Sequence, residues 1–264
     1  MSLVSLELDT AELAQQYDRI SAERQFRVGQ LLIRDLALQP GESVLDIGSG
    51  TGLLAEHAAG IVGPGGPVIG IDPLPLRVEI AQHRARPNLV FRTGNAYDLG
   101  EFGAESFDAV YMNAVFHWLE QKEAALRQVM RILKRGGRLG ISTGSRTNSN
   151  PLHRVKERVL SRPPYNRYVA ASGPVAFRIN LDEMRDLLNR AGFQIGGLEL
   201  RHYPRRKMSP DEAIEFSQAS SFGNFLGHLP DELQAIARED IKRELERIDT
   251  QASTSLIAAT AIKP

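Results

Sequence analysis

The segment Val44-Leu45-Asp46-Ile47-Gly48-Ser49-Gly50-Thr51-Gly52 concentrates the chemistry of this chain. An acid sits inside an apolar run, and glycines then fall at every second position. Glycine lets a backbone take left-handed dihedrals and lets a ligand approach closely. A buried strand, a glycine-rich turn and a following helix make a nucleotide-type site at the carboxyl end of a parallel strand. The spacing narrows the ligand. A dinucleotide loop reads G-x-G-x-x-G, and its third glycine would fall on Leu53. A P-loop needs Lys and then Ser or Thr, and neither follows. Asp46 stands just before the loop, where a carboxylate repels a pyrophosphate and suits a cationic amino group.

Such residues need a sheet to hold them. Residues 43–47, 68–71, 89–92, 107–112 and 139–143 read as strands, with helices predicted over 53–62 and 76–84. Leu126, Val129, Met130 and Leu133 keep the spacing of an amphipathic helix, which Gly136-Gly137 would cap. This alternation predicts a doubly wound α/β fold: a mostly parallel seven-stranded sheet with helices on both faces. Residues 11–37 read as helical. Residues 144–173 are polar and Pro-rich and read as an irregular cap or loop. Beyond them, helices are expected at 181–190 (N-cap Asn180), 210–225 and 231–248, and strands at 193–202 and 255–262. The expected organisation is a helical lid over 1–40, a cofactor-binding core over 41–145, and cap segments with the sheet's remaining elements over 146–264.

Composition excludes several classes. Lys plus Arg equals Asp plus Glu at 32 each in 264 residues, which argues against a broad nucleic-acid footprint. There is no cysteine, hence no disulfide, thiol nucleophile or Cys-ligated zinc. No His, Asp and Glu set has metal-ligand spacing, so no metal is expected. Residues 1–16 carry Glu7, Asp9 and Glu12 and lack a signal peptide's basic start and apolar run. No stretch reaches the length of a membrane span, and a cytoplasmic protein is expected.

The segment from Val44 to Gly52 resembles the first motif of the Rossmann-like S-adenosylmethionine-dependent methyltransferases. That motif is two hydrophobic residues, an acid, a hydrophobic residue and Gly-x-Gly-x-Gly. The resemblance is firm over 42–143, and it implies that S-adenosylmethionine is bound by Asp46, Gly48, Ser49, Gly50 and Gly52. Ile71-Asp72-Pro73 matches the second motif, an acid ending the second strand that accepts from a ribose diol. Asn95-Ala96 takes the place of the third, where the family typically has an acid. The Asn95 amide oxygen can accept from the adenine amino group, and its amino group can donate to a ring nitrogen. Asn113-Ala114-Val115-Phe116-His117-Trp118-Leu119 is similar to the family's fourth motif, beside the methionine end of the cofactor.

By the same resemblance, Tyr17 belongs to an N-terminal segment that folds over the cofactor. His117 is the candidate general base, because an imidazole titrates near neutrality. Phe116, Trp118, His202, Phe222, Asn224 and His228 are candidates to line a pocket for a small-molecule acceptor. The motif set is similar to the group holding ubiquinone-type, trans-aconitate and juvenile hormone acid methyltransferases. Arsenite methyltransferases lie nearby, but their chemistry uses cysteines, which this chain lacks. Prolines that nucleic-acid amino-methyltransferases carry after the fourth strand are missing; Arg162-Pro163-Pro164-Tyr165 is a decoy read as a turn. Two other readings stay open: an NAD-dependent oxidoreductase, and a cofactor-binding protein without catalysis.

Overall fold

The computed structural model describes residues 10–19, 23–147, 151–168, 176–203, 208–220, 226–227, 229–248 and 254–264. Short apolar runs bounded by turns form the central strands. These are β1 (Val44–Ile47), β2 (Val68–Asp72), β3 (Leu89–Thr93), β4 (Phe107–Asn113) and β5 (Leu133–Gly144). Two longer strands follow, β6 (Gln194–Tyr203) and β7 (Thr254–Ile262). The sheet order is β3-β2-β1-β4-β5-β7-β6. β1, β2, β3, β4 and β5 pair in parallel, and β7 lies antiparallel between β5 and β6. The sheet is therefore mixed. A single reversed strand is invisible to the strand-helix alternation, which carries no sign of direction at the chain's end.

Order reverses between β1 and β4: the chain winds outward from β1 to β3, then returns to β1's other side. In such sheets the ligand crevice lies at the carboxyl ends of the strands flanking that switch. Successive side chains alternate between faces. Leu45, Ile47, Val110 and Met112 join a core with α5 (Lys122–Ile132) and α7 (Leu181–Arg190). Val44, Ala109 and Tyr111 join a second core with α2 (Glu23–Leu36), α3 (Leu53–Val62) and α4 (Pro75–Gln82). Asp46 thus points toward the α2 and α3 side.

A third apolar cluster brings together α6 (Pro151–Leu160), α8 (Pro210–Ser220) and α9 (Asp231–Glu246), through Val155, Val159, Ile214, Ile241 and Leu245. The helix α6 lies in the stretch expected to be irregular. Its Leu152, Val155 and Val159 form a buried stripe at helical spacing, obscured in the sequence by charged neighbours. Tyr165 is buried in the same cluster and donates to Asp240 Oδ2 at 2.6 Å, so the Pro-Pro-Tyr segment is a packing turn.

Two boundaries differ from expectation. Leu133 opens β5 instead of closing α5, and Gly136-Gly137 lies inside that strand at a bulge, where Gly136 N–H donates to Lys263 O. Asn180 does cap α7: its Oδ1 accepts from Glu183 N–H, and Glu183 Oε2 accepts from Asn180 N–H. α1 (Ala11–Tyr17) packs against α4 and α8. Among the described residues no helix is long and apolar enough to cross a membrane.

Candidate active site

Asp46 is 2 % exposed at the end of β1. Its register partner on β4, Tyr111, points to the same face and donates its hydroxyl to Asp46 Oδ2 at 2.9 Å. Burial pushes the Asp46 carboxyl up to about 8, against the pull of the Tyr111 bond and with a further push from Asp72. The ligand-free protein therefore holds Asp46 largely protonated at neutral pH. A ligand ammonium group arriving beside it would favour the carboxylate and expel that proton.

The glycine loop is tied to the end of β2. Gly48 and Ser49 N–H groups both donate to Ile71 O, at 2.7 and 2.9 Å. Asp72 Oδ2 accepts from Gly50 N–H at 2.8 Å, and Oδ1 from Leu74 N–H at 3.0 Å. Asp72 therefore shapes the loop, while each oxygen keeps a lone pair for a diol. Burial raises its carboxyl, with Arg77 and the two backbone donors opposing. Pro73 follows, half-buried.

Gly48 has φ 78°, and a Cβ there would lie 2.2 Å from Val115 Cγ2. A Cβ at Gly50, φ 55°, would meet the Tyr17 hydroxyl at 3.1 Å. The loop is thus held between Val115, from the turn after β4, and Tyr17, from α1. Tyr17 is buried, donates to Gln25 Oε1 at 2.5 Å and carries the Arg77 guanidinium 4.1 Å above its ring.

Asn113 ends β4 and donates through Nδ2 to Gln25 O at 3.0 Å. Its Oδ1 is buried without a hydrogen-bond partner, as is Ser49 Oγ. Both residues line one cleft with Tyr17, Gln25, Asp46 and Gly48. Buried polar atoms are normally satisfied, so two orphans in one cleft point to a polar ligand. Ala114 adds a backbone outlier at φ 60°, held by its N–H bond to Ser142 O at 2.8 Å. Left-handed backbone costs a non-glycine residue roughly 1–2 kcal/mol, and such strain collects at functional sites.

Other expected site residues fare differently. Asn95 is exposed, and its Oδ1 already accepts from Tyr97 and Asp98 N–H groups at 2.9 and 3.2 Å. Closing that turn takes the oxygen expected for adenine and leaves the amino group as the outward donor. Ala96 is buried beside it. Phe116 is fully buried in the main core, because a short 3₁₀ turn over Phe116–Trp118 drives it inward; it is packing, not an exposed pocket wall. Trp118 lies 4.8 Å from the His117 ring. His202 is exposed near the end of edge strand β6, bonded to Ser255 Oγ at 2.8 Å, with β5 and β7 between it and β4. It is not brought to the cradle. Phe222, Asn224 and His228 lie outside the described residues.

His117 follows the cradle, with Nδ1 2.9 Å from Thr143 Oγ1 and its carbonyl accepting from Phe177 N–H at 2.7 Å. Burial, then Arg178 and Lys122, push its pKa down to about 3. The ring is neutral at pH 7 and a weak proton acceptor, which removes the reason for reading it as a general base. Its NMR resonances should not titrate between pH 5 and 8; a midpoint near 6.5 would restore the base.

Tyr111, Gln25 and Val115 were missed in the sequence. Tyr111 had a signal: it shares a strand face with Ala109, and parallel register sets it beside Asp46. Gln25 and Val115 act through backbone and shape, which leave no signature.

A family model described as a methyltransferase domain matches residues 45–141. A demethylmenaquinone methyltransferase of Tropheryma whipplei is 30 % identical over 199 residues, 69 % of this chain and 80 % of that protein. The chain belongs to the class I S-adenosylmethionine-dependent methyltransferases. An arsenite methyltransferase of Halobacterium salinarum is 34 % identical over 163 residues, 60 % of this chain. The chain spans only 39 % of that relative's length. In fold, the methyltransferase partner of the Haloferax volcanii Trm112 activator superposes with a TM-score of 0.63, covering 95 % of this chain and 94 % of its own at 19 % identity.

The cradle of this methyltransferase fits S-adenosylmethionine, the family's cofactor. Asp46 suits its amino group, Asp72 its ribose diol, and the orphaned Ser49 and Asn113 oxygens further polar atoms. Family membership sets aside the NAD-dependent reading. Among the described residues no group of three acidic or histidine side chains is placed to hold a metal.

Proposed function

We propose that this methyltransferase moves a methyl group from S-adenosylmethionine to an O, N or C atom of a small-molecule acceptor, with the cytoplasm as its place of action. The observation carrying this reading is the pair Asp46 and Asp72, both buried and both facing one glycine loop beside Asn113. When bound, the sulfonium cofactor supplies an already activated methyl. The chain's own work is then to orient, to hold the acceptor in line and to exclude water, worth about 7–11 kcal/mol where positioning is good. Asp46 takes the amino group and Asp72 the diol. Asn95 donates toward the adenine, with Ala96 beside it. Asn113, Ala114 and His117 form the wall nearest the reacting carbon.

Of the lid expected over residues 1–40, the described helices α1 and α2 serve that role: Tyr17 covers Gly50, and Gln25 bonds Asn113. Residues 41–145 form the cofactor core. Within 146–264 the cluster of α6, α8 and α9 forms a cap over the acceptor side. Arsenite does not suit the site, since a soft arsenic centre calls for thiolates and the chain has no cysteine.

Incubation with methyl-labelled cofactor and fractionated metabolite extracts tests the reading. A labelled product that requires the protein is expected. Tight binding of S-adenosylhomocysteine with no label transferred to any extract would make this a binding protein instead.

A further inference from the structure

A second polar cluster lies at the carboxyl end of β5, next to His117. Residues 176–180 run alongside that end, joined by the His117 carbonyl bond from Phe177 and a bridge from Ser145 to Ile179. Arg178 leaves this segment across Gly144, where a Cβ would lie 3.4 Å from Arg178 Nε. Arg178 Nη2 lies 2.8 Å from His153 Nε2 on α6. Arginine only donates, so Nε2 accepts and the His153 ring is neutral, its proton on Nδ1. One turn further along α6, Lys156 donates to Ser217 Oγ on α8 at 3.2 Å.

Arg178 therefore stands between the strand end and α6, oriented by His153. His153 and Lys156 lie one turn apart on α6, and Phe177, next to Arg178 in the chain, bonds the His117 carbonyl, so the arginine is held near both Lys156 and His117. Burial first, and Arg178 second, push the Lys156 ammonium down to about 7. Glu157 is the carboxylate that opposes the shift at both Lys156 and Arg178, and it is exposed to solvent. Two cations brought together on a half-buried face repel each other, and an oxyanion between them removes the repulsion. A guanidinium fork fits a carboxylate or phosphate with two parallel bonds.

We propose that Arg178, steadied by His153 and joined by Lys156, binds an anionic group of the methyl acceptor, a carboxylate or phosphate. The proposal rests on the methyltransferase reading, because that reading makes the wall at His117 the transfer site. It deepens it by naming the acceptor's charge. A cationic or bare amine acceptor is disfavoured at this cluster for the same reason that an anion is favoured.

The test is calorimetric titration of benzoate, inorganic phosphate and neutral benzamide, with and without saturating S-adenosylhomocysteine. Benzoate or phosphate is expected to bind at least tenfold more tightly than benzamide. Arg178→Gln is expected to lose at least tenfold of that affinity, with S-adenosylhomocysteine binding unchanged within twofold. Lys156→Met, expected to lose at least threefold, carries the test if the arginine variant does not fold. Anion binding no stronger than benzamide, or unchanged in the folded variants, overturns the proposal. Failure of S-adenosylhomocysteine to bind counts against the methyltransferase reading alone, because the titrations without it still decide the anion site.

Discussion

Asp46→Asn is expected to cut cofactor affinity at least a hundredfold while making the ligand-free protein more stable at pH 8. The folded Asp46 carboxyl titrates at about 8, and an unfolded one near its ordinary value of 3.8. Between those values the folded chain holds a proton that the unfolded chain has released. Stability from this group is therefore full below the lower value and lost as pH rises through the upper one. Asn cannot ionise, so the variant escapes the loss. A tenfold difference in proton affinity between folded and unfolded chains is worth ~1.4 kcal/mol, and relaxation around the buried group reduces the whole to roughly 2–5 kcal/mol at pH 8.

Binding moves the other way. A buried charge-assisted bond to the cofactor's ammonium group is worth about 3 kcal/mol, so S-adenosylhomocysteine affinity should fall at least a hundredfold. Calorimetry at pH 7 in buffers of different protonation enthalpy should show the wild type releasing close to one proton on binding. The variant should release none from this group. Affinity retained within threefold would show that Asp46 does not hold the amino group, and a lower melting temperature than wild type at pH 8 would show that burial does not raise its carboxyl.

Gly48→Ala carries the second large effect. An L-residue at φ 78° costs roughly 1–2 kcal/mol, and the added Cβ would meet Val115 Cγ2 at 2.2 Å, so something must shift. Overpacking of this kind costs roughly 1–3 kcal/mol more. Urea denaturation should show a total loss of about 2–5 kcal/mol, and calorimetry a cofactor affinity down by tenfold or more. Val115→Ala in the same chain should restore the overpacking part and leave the backbone part. A single variant within 1 kcal/mol of wild type, or a pair no better than Gly48→Ala alone, would refute the close approach of that turn.

Both effects start from residues readable in the sequence, but they depend on partners that were not. Asp46, Gly48, Gly50 and Asp72 were legible because local chemistry constrains them. An acid in an apolar strand and a glycine after it each need a reason within a few residues. The strands from β1 to β5 were legible because a buried parallel strand is a short apolar run between turns. Helix α6 was not, since its stripe of three apolar residues is spread among charges and covered from elsewhere in the chain, by α8, α9 and Tyr165 among others.

Asn95 shows the limit for a single residue. Its place after β3 could be read, but which atom its side chain offers depended on the turn it closes. His117 shows the limit for chemistry. Its position beside Asn113 was readable, whereas its proton affinity was decided by burial, by Arg178, 61 residues on, and by Lys122. By itself the sequence determined the segment from Val44 to Gly52, the acid at Asp72 and the winding of the first five strands. Periodicity, glycine placement and a lone buried acid are short-range constraints. Tertiary structure alone decided that Tyr111 meets Asp46, that Val115 and Tyr17 close on the loop, that β7 runs backward, and that Arg178 reaches His153 near Lys156. Those are contacts between distant segments, and they are set by strand register and packing rather than by any spacing along the chain.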